Sequence, residues 1–190
     1  MTHSTTRLET ERLILRDIIL EDADAFMRFV TKPRFHQYTS SARKPEDIPP
    51  RIAEWVGRNT AMPRKHYIWT VLEKESGLVI GDIRLWQEKN SKGIELNGVM
   101  GVGYGLNPEY WNKGYMTEAL TAVTAFGHEV LKLHRIEGAA IAENEGSWRV
   151  MEKAGYQRES ALRYRFYAHG RYWPLFYEYA SVRTDLLPAG

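Results

Sequence analysis

The strongest constraint on this sequence comes from residues 99–120, where a glycine-rich apolar run gives way to a short loop and then to a helix. Pro108 stops the apolar run, and the residues after Gly114 show the spacing of one face of an amphipathic helix. The apolar residues on this predicted face are Met116, Ala119, Leu120, Val123 and Val130. The stretch therefore predicts a strand, a tight loop and a helix start in direct succession.

The predicted start of this helix is suited to binding an anion. The first turn of a helix leaves about four N–H groups without an internal partner, and the helix dipole adds partial positive charge there. Gly114 allows a ligand to approach the backbone, and Lys113 adds a full charge. Phosphate groups fit such a site well. On the loop alone, the alternative of an ordinary turn stays open.

Two better-known glycine motifs do not fit this region. A P-loop requires G-x-x-x-x-G-K-[ST], but here the lysine precedes its glycine. Gly101, Gly103 and Gly105 resemble part of a dinucleotide fingerprint, yet the next glycine is missing and Asn107-Pro108 delays the helix. These glycines fall inside the predicted strand, where glycine often marks a bulge or a close backbone approach.

Residues 109–119, EYWNKGYMTEA, resemble the acetyl-CoA pyrophosphate loop of the GNAT acetyltransferase superfamily. The similarity is greatest to the branch of ribosomal-protein acetyltransferases called RimJ and RimL. Residues 144–156, NEGSWRVMEKAGY, resemble the next signature of that branch, and residues 10–16, TERLILR, are similar to its first strand. The resemblance therefore extends over nearly the whole chain.

The order of predicted elements indicates a mixed α/β domain with a largely antiparallel sheet. The resemblance implies the GNAT-type α/β (α+β) fold, with about seven strands parted at a V-shaped cleft and about four flanking helices. We expect one N-acetyltransferase domain over residues 1–190, with a flexible start at 1–9 and a tail at 184–190.

Local signals place the remaining elements. We expect Asp22 to cap a first helix and Pro49-Pro50 to open a second, with an irregular segment of exposed aromatics at 35–40 that could select substrates. Residues 74–77 predict a hairpin, and residues 88–93 predict a second polar turn. The predicted strands cover residues 13–15, 66–73, 78–86, 99–106, 134–142, 158–167 and 172–182.

The resemblance implies acetyl-CoA as co-substrate, held between two parted strands. The bent strand would be 99–106, whose glycines accommodate a bulge. The cofactor-binding residues that the resemblance implies are Tyr104, Leu106, Trp111, Asn112, Lys113, Gly114, Tyr115, Met116, Thr117, Asn144 and Ser147. The family usually has Gly or Ala where this chain has Met116, which is compatible with the site if that side chain turns into the core.

Asn144 and Ser147 are the candidate catalytic residues. Both have a structural interpretation, because side-chain oxygens at a helix N-terminus satisfy backbone N–H groups. The resemblance instead implies that Asn144 contacts the cofactor and that Ser147 lies near the sulfur, where it could protonate the leaving thiolate. Both interpretations stay open at this point.

The proton acceptor is not evident from the sequence. An attacking amine must lose a proton, and relatives often carry a glutamate just before the loop, at the position of Gly101. Glu95 has the same strand parity but lies about 20 Å away along an extended strand. The remaining candidates are His36, His66, Asp82, Glu109 and a chain of water molecules.

Composition removes several other classes of function. A net charge of +2 over 190 residues gives no support to nucleic acid or a membrane surface as partner. The absence of cysteine excludes disulfides and thiolate chemistry, and the six histidines lack metal-ligand spacing. No apolar run approaches ~20 residues and the N-terminus is not a signal peptide, so we expect a cytoplasmic protein.

The sequence thus predicts an acetyl-CoA-dependent N-acetyltransferase that moves an acetyl group directly to a primary amine. The leading acceptor is a protein N-terminal α-amine. A small-molecule amine, such as an antibiotic, a polyamine or an amino-acid derivative, is an alternative, since fold alone does not choose the substrate. A non-catalytic acyl-CoA sensor is a further alternative, and the resemblance leaves a homodimer open.

Overall fold

An eight-stranded sheet organises the computed structural model, which describes residues 6–39 and 43–187. A separate two-stranded ribbon is formed by β8 and β9. The strands are β1 (Arg7–Glu9), β2 (Leu13–Asp17), β3 (His66–Glu73), β4 (Val79–Lys89), β5 (Glu95–Leu106), β6 (Arg135–Ile141), β7 (Gln157–Arg163), β8 (Tyr167–Ala168), β9 (Arg171–Tyr172) and β10 (Leu175–Val182). The helices of the described residues are α1 (Ala23–Val30), α2 (Pro33–His36), α3 (Ile48–Thr60), α4 (Tyr115–Glu129) and α5 (Glu145–Lys153).

The strand order in the large sheet is β1-β2-β3-β4-β5-β6-β10-β7. Neighbouring strands are antiparallel except β5 and β6, which are parallel and are connected through α4. A parallel pair needs such a crossover, because a tight turn cannot return the chain to the same end of the sheet. The predicted mixed, largely antiparallel sheet is confirmed, with eight strands where about seven were expected.

The two faces of the sheet are covered by different helices. On one face, buried residues of α4 and α5, including Leu120 and Met151, pack against Ile83 and Leu85 of β4. On the other face, α1 and α3 form a second apolar cluster with Ile68 of β3. Successive residues of a strand point to opposite faces, so each strand contributes to both layers.

The parallel pair β5–β6 is the place where the sheet opens. Pairing between these strands covers only Val99 to Gly101, which lie opposite Arg135 to Glu137. Beyond Gly101, β5 stays paired with β4 as far as Leu106, and β6 stays paired with β10 as far as Ile141. The two strands therefore part in a V, as the resemblance implied.

Gly101, Gly103 and Gly105 of β5 do not accommodate a bulge, contrary to our expectation. From Met100 to Leu106 the register with β4 is continuous. The register shifts before Met100, where the step from Gln87 to Lys89 of β4 lies opposite the longer segment from Met100 back to Glu95 of β5, and this segment contains Gly98 with φ of 69°. Gly101, Gly103 and Gly105 instead leave room for side chains that cross from β4.

Several boundaries also differ from the sequence expectations. Residues 7–9 form β1 rather than a flexible start, and residues 1–5 lie outside the described part of the chain. β4 continues to Lys89, so Glu88 is a strand residue and not part of a turn. Val130 is 63% exposed and follows the end of α4, so it does not share the buried face.

Two features near α1 and α2 are also corrected. Asp22 stands at the start of α1 but does not cap it with its side chain; its carboxylate accepts bonds from Arg16 and Thr70 instead. The segment 35–39 is not an exposed aromatic loop, because Phe35 packs against the α1–α3 cluster and Tyr38 against Trp173. Ser40, the last residue of that predicted segment, lies outside the described residues.

Candidate active site

The loop between β5 and α4 presents a helix N-terminus at the open end of the V. Gly114 is the N-cap residue, with φ of 81°, a conformation that residues with a side chain rarely adopt. It offers no side chain to accept from the amides of the first turn, and Asn112, Lys113 and Gly114 are all exposed. The helix start predicted after Gly114 is confirmed, and its uncapped first-turn amides make anion binding there a prediction that stands.

A network from the N-terminal part of the chain holds this loop in place. Arg12 donates to the Lys113 carbonyl at 3.0 Å and pairs with Glu118 of α4 at 2.7 Å. Thr10 also donates its hydroxyl to Glu118. The ammonium of Lys113 lies 5.1 Å from the ring centroid of Tyr110, still on the exposed side of the loop. The loop is therefore held by contacts to the N-terminal part of the chain, and Lys113 adds a positive charge on its exposed side.

Met116 does not obstruct the helix start. Its side chain is 4% exposed and belongs to the core cluster beneath α4. The expectation that a bulky residue at this position turns into the core is confirmed. Tyr115 and Thr117, the other predicted residues of this first turn, remain partly exposed, and the Tyr115 hydroxyl donates to Glu73.

The backbone of β5 faces the gap at alternate residues. The amide of Asn107 donates to Ile80 of β4 at 2.7 Å. Because backbone groups alternate in direction along a strand, those of Tyr104 and Leu106 point away from β4, toward the parted strand β6. The Leu106 carbonyl already accepts the indole N–H of Trp111 at 2.8 Å, so Trp111 closes the end of the cleft.

Tyr104 and Ser147 meet across the open end of the V. The Tyr104 hydroxyl donates to the Ser147 carbonyl at 2.9 Å and lies 3.2 Å from the Ser147 hydroxyl. Burial raises the pKa of Tyr104, so its hydroxyl stays protonated across the physiological range. Two hydroxyl groups thus stand together at the cleft, one from β5 and one from α5.

Asn144 fulfils the structural role that we considered for it. Its side-chain oxygen accepts the amide of Ser147 at 3.3 Å, which caps α5. The cap fixes the first turn of α5 and thereby the position of Ser147 against Tyr104. The structure brings Tyr104, Asn144 and Ser147 together, while the loop 111–117 lies at the same end of the sheet.

The opposite face of β5 carries residues that the sequence analysis missed. A Cβ on Gly101 would overlap the carboxylate of Glu88 and the ring of Trp86, and a Cβ on Gly103 would lie 3.1 Å from that ring. A Cβ on Gly105 would lie 2.9 Å from Phe35 and 3.1 Å from Asp82. We call this surface the glycine face. The only hint in the sequence is the alternation of polar residues along β4.

Glu88 is placed where the side chain of residue 101 would otherwise lie. It accepts the indole N–H of Trp86 at 2.6 Å, which fixes its carboxylate over Gly101. Gly101 belongs to the last paired position before β5 and β6 separate. A carboxylate therefore stands at the apex of the V, although the strand itself supplies none.

Three of the four side chains considered from the sequence as proton acceptors lie elsewhere or are engaged. The fourth, His66, lies opposite Trp86 in the register of β3 and β4, and burial lowers the pKa of its ring. His36 is 4% exposed and its Nε2 accepts the amide of Arg43, which is a structural role. Glu109 is paired with Lys32 at 2.6 Å on the surface. Asp82 is buried on the glycine face against Arg84 at 2.9 Å, and burial raises the pKa of its carboxyl.

Comparison with known proteins identifies the family. A family model described as an acetyltransferase (GNAT) domain matches residues 12–157. This chain belongs to the GNAT acetyltransferase family. Its resemblance to the family, inferred from two motifs, is thereby confirmed, and acetyl-CoA is the acetyl donor.

Individual relatives agree with this family assignment. The chain is 29% identical over 166 residues to the Bacillus subtilis (strain 168) protein named uncharacterized N-acetyltransferase YoaA, and the match covers 86% of this chain and 89% of that one. It is 26% identical to a GNAT-family acetyltransferase from Bacillus anthracis, with a TM-score of 0.77 over 93% of this chain and 98% of that one.

The GNAT fold is also shared with a ribosomal-protein-S5-alanine acetyltransferase from Vibrio fischeri. The TM-score is 0.78 at 22% identity, over 96% of this chain and 100% of that one. At this identity the likeness concerns the fold, and the acceptor of that enzyme is not transferred to this chain. Within the described residues of this acetyltransferase, no helix combines the length and apolarity needed to cross a bilayer.

Proposed function

We propose that this N-acetyltransferase binds acetyl-CoA in the gap between β5 and β6 and transfers the acetyl group directly to a primary amine that approaches over the glycine face. The observation that supports this arrangement is the end of β5–β6 pairing at Gly101, with the first turn of α4 at the open end of the V that results. Diphosphate would bind that helix start, and the pantetheine arm would pair with the free backbone of β5.

Polarisation of the thioester would come from a backbone N–H of β5. The gap-facing amides of Tyr104 and Leu106 are fixed in a strand, so they need no reorganisation when charge develops on the carbonyl oxygen. An amine brought within ~3 Å of the carbonyl carbon would gain most of its rate from orientation. The new N–C bond forms as the C–S bond breaks.

Glu88 is our proposed proton acceptor. Its carboxylate lies over Gly101 at the apex of the V, on the face from which the amine would approach. It would take one proton from the attacking amine, while the hydroxyl pair of Tyr104 and Ser147 would supply one proton to the departing thiolate. Burial keeps the Tyr104 hydroxyl protonated at neutral pH, so that a proton is present to donate, and it also makes this hydroxyl a weaker acid than a free tyrosine.

Two acceptor classes considered from the sequence are consistent with this scheme. A peptide α-amine and a small primary amine both present a narrow end to the cleft, and we propose that either reacts there. A homodimer stays a prediction from the family resemblance.

The test measures thiol release from acetyl-CoA with a panel of peptides and small amines. We expect turnover by the wild type, about 100-fold lower kcat for Glu88→Gln, and about 10-fold lower kcat for Ser147→Ala, where Tyr104 still donates. Both variants should keep the rise in melting temperature that acetyl-CoA produces. Retained binding with no thiol release for any amine would instead indicate an acyl-CoA sensor.

A further inference from the structure

A cavity of about 150 Å³ lies on the glycine face, between α3 and the strands β3 and β4. Its walls include two indole rings, Trp55 and Trp86, and three guanidinium groups, Arg51, Arg58 and Arg84. One carboxylate, Glu54, also lines it and is paired with Arg58 at 2.6 Å. The proposed function leaves this cavity without a role. Its lining is both apolar and strongly basic, which is unusual for a cavity that serves only packing.

The positive charge around this cavity exceeds the negative charge that could neutralise it. Arg43, Arg51 and Arg84 all interact electrostatically with Asp82, a carboxylate that is 3% exposed. Arg84 forms the ion pair with Asp82, at 2.9 Å. Arg51 forms no hydrogen bond and no ion pair with any residue in the described ranges 6–39 and 43–187, although Glu54 contributes weakly to its electrostatic environment.

The pKa of Arg51 agrees with this excess charge. Burial lowers the pKa of Arg51 to about 10, and repulsion from Arg43 and Arg84 adds to the effect. Arg51 is still protonated at neutral pH, but its charged form is less favourable than that of a solvated arginine. A bound anion would remove this penalty by supplying the missing counter-charge.

Both guanidinium groups lie against one indole ring. The guanidinium carbon of Arg51 lies 4.7 Å from the ring centroid of Trp55, and that of Arg84 lies 4.9 Å from the same ring. A cation at such a distance is attracted by the ring and can still donate hydrogen bonds to an anion. The Nε of Arg84 faces Asp82, so Arg51 is the guanidinium whose donors no residue in the ranges 6–39 and 43–187 uses.

The cavity adjoins the place where acetyl transfer is proposed. Trp86 forms one wall and also covers Gly101 and Gly103. The Nη2 atom of Arg84 lies 3.6 Å from the position of a Cβ on Gly103. Gly103 directly precedes Tyr104, whose backbone faces the gap. A molecule with its amine at the gap would extend its other end into this cavity.

We propose that the Arg51–Arg84 cavity binds an anionic group of the acceptor, so that the preferred substrate is a primary amine that also carries a carboxylate or a phosphate. This inference rests on the proposed function, because it assigns a substrate class to the same site. It also implies discrimination against polyamines, whose additional positive charges would meet three arginines.

Matched pairs of amines test the substrate class. β-Alanine and propylamine differ by a carboxylate, and O-phosphoethanolamine and ethanolamine differ by a phosphate, while spermidine represents polyamines. For the wild type we expect kcat/KM at least about 10-fold higher for the anionic member of one pair or both, since hydrogen bonds to charged groups are the strong ones. The pair with the larger ratio distinguishes carboxylate from phosphate. Equal or lower values for both anionic members would overturn the proposal.

The variant Arg51→Met tests whether this cavity is responsible. We expect KM for the preferred anionic amine to rise about 10- to 100-fold with kcat nearly unchanged. KM for the matched amine that lacks the anionic group should stay the same. Arg51→Lys should recover part of the affinity, because it keeps the charge but not the fork. Arg28→Met, on the exposed side of α1, is the matched control. An equal rise for both amines would mean that Arg51 has only a structural role.

Direct binding separates failure of this inference from failure of the proposed function. Calorimetric titration of β-alanine and O-phosphoethanolamine into the protein with coenzyme A needs no turnover. If the wild type binds either compound and Arg51→Met does not, the anion site is supported. This holds even if no amine causes thiol release, in which case only the proposed function fails. If the wild type releases thiol but Arg51→Met binds both anionic amines as well as the wild type does, or neither protein binds them, the anion site is overturned and the proposed function stands.

Discussion

The two faces of β5 differ in the size of the side chains that they carry. On one face, Met100, Val102 and Tyr104 carry large side chains that pack beneath α4 and α5. On the other, Gly101 and Gly103 carry none, and side chains from β4 occupy the space above them. The first face is specified by residues of β5 itself, whereas the second is specified by residues from distant parts of the chain. In the proposed arrangement, donor binding depends on one continuous stretch, residues 104–117, whereas acceptor binding depends on side chains that only the fold brings together.

The largest effect is expected at the helix start, on the donor side. Gly114→Trp should abolish the rise in melting temperature with acetyl-CoA, because the new ring fills the space next to the first-turn amides and the φ of 81° disfavours any side chain. The measurement is thermal unfolding with and without acetyl-CoA.

The matched control for that change is Gly93→Trp. Gly93 has a φ of 76° in the β4–β5 turn, and a Cβ there meets nothing within 4 Å. It imposes the same kind of backbone strain far from the cleft, so its response to acetyl-CoA should be that of the wild type. An acetyl-CoA shift that persists in Gly114→Trp would place the diphosphate elsewhere.

A smaller effect is expected from Gly103→Val, which should weaken binding of the amine and not of acetyl-CoA. Its Cβ would lie 3.1 Å from Trp86, so the added methyl groups must displace that ring into the cavity. We expect KM for the amine to rise about 10-fold, in line with the cost of overpacking, while the response to acetyl-CoA is preserved. Steady-state kinetics and thermal shift measured on one preparation provide both values.

Gly57→Val serves as the control for this substitution, because a Cβ at Gly57 of α3 has nothing within 4 Å. If Gly103→Val weakened acetyl-CoA and amine together, the two faces of β5 would not be independent, and the comparison above would break down.

The smallest effect is expected on the melting temperature, from a buried histidine in α2, one of the segments that cover the glycine face. His36 of α2 is buried next to Phe35, and burial lowers the pKa of its ring. A histidine whose pKa is depressed in the folded state contributes stability that is present above its unfolded pKa, about 6.5, and is lost as pH falls below it. Acidification from pH 7 to 5 should therefore lower the melting temperature.

Substitution of His36 by Asn should reduce this acid dependence, which thermal unfolding at pH 7 and at pH 5 measures. His134→Asn, before β6, is the control and should retain the wild-type slope. Equal slopes for His36→Asn and wild type would show that α2 does not confer the acid sensitivity.

The same contrast explains what the sequence could predict. The loop 111–117 and the Asn144–Ser147 helix start are continuous motifs, so the resemblance to the family could be recognised from each of them directly. Glu88 was assigned to a turn because β4 is longer than its apolar residues suggest. Arg51 and Arg84 come from α3 and β4, and no local pattern indicates that both contact Trp55.

Periodicity also failed where the chain changes direction. Val130 continues the apolar spacing of α4 but follows the last helical residue, so it points to solvent. The glycines of β5 were correctly recognised as special but assigned the wrong cause, since the residues that need their space lie across the strand pair. Packing between strands is not visible in a single sequence without its register.

The early end of β5–β6 pairing has a consequence for the order of events. In the proposed arrangement, the backbone groups that β5 leaves without a neighbouring strand would pair with the donor, which would act as a temporary strand of the sheet. The wall against which an amine must align is then complete only in the loaded enzyme. Acetyl-CoA should bind first, and the emptied carrier should leave last.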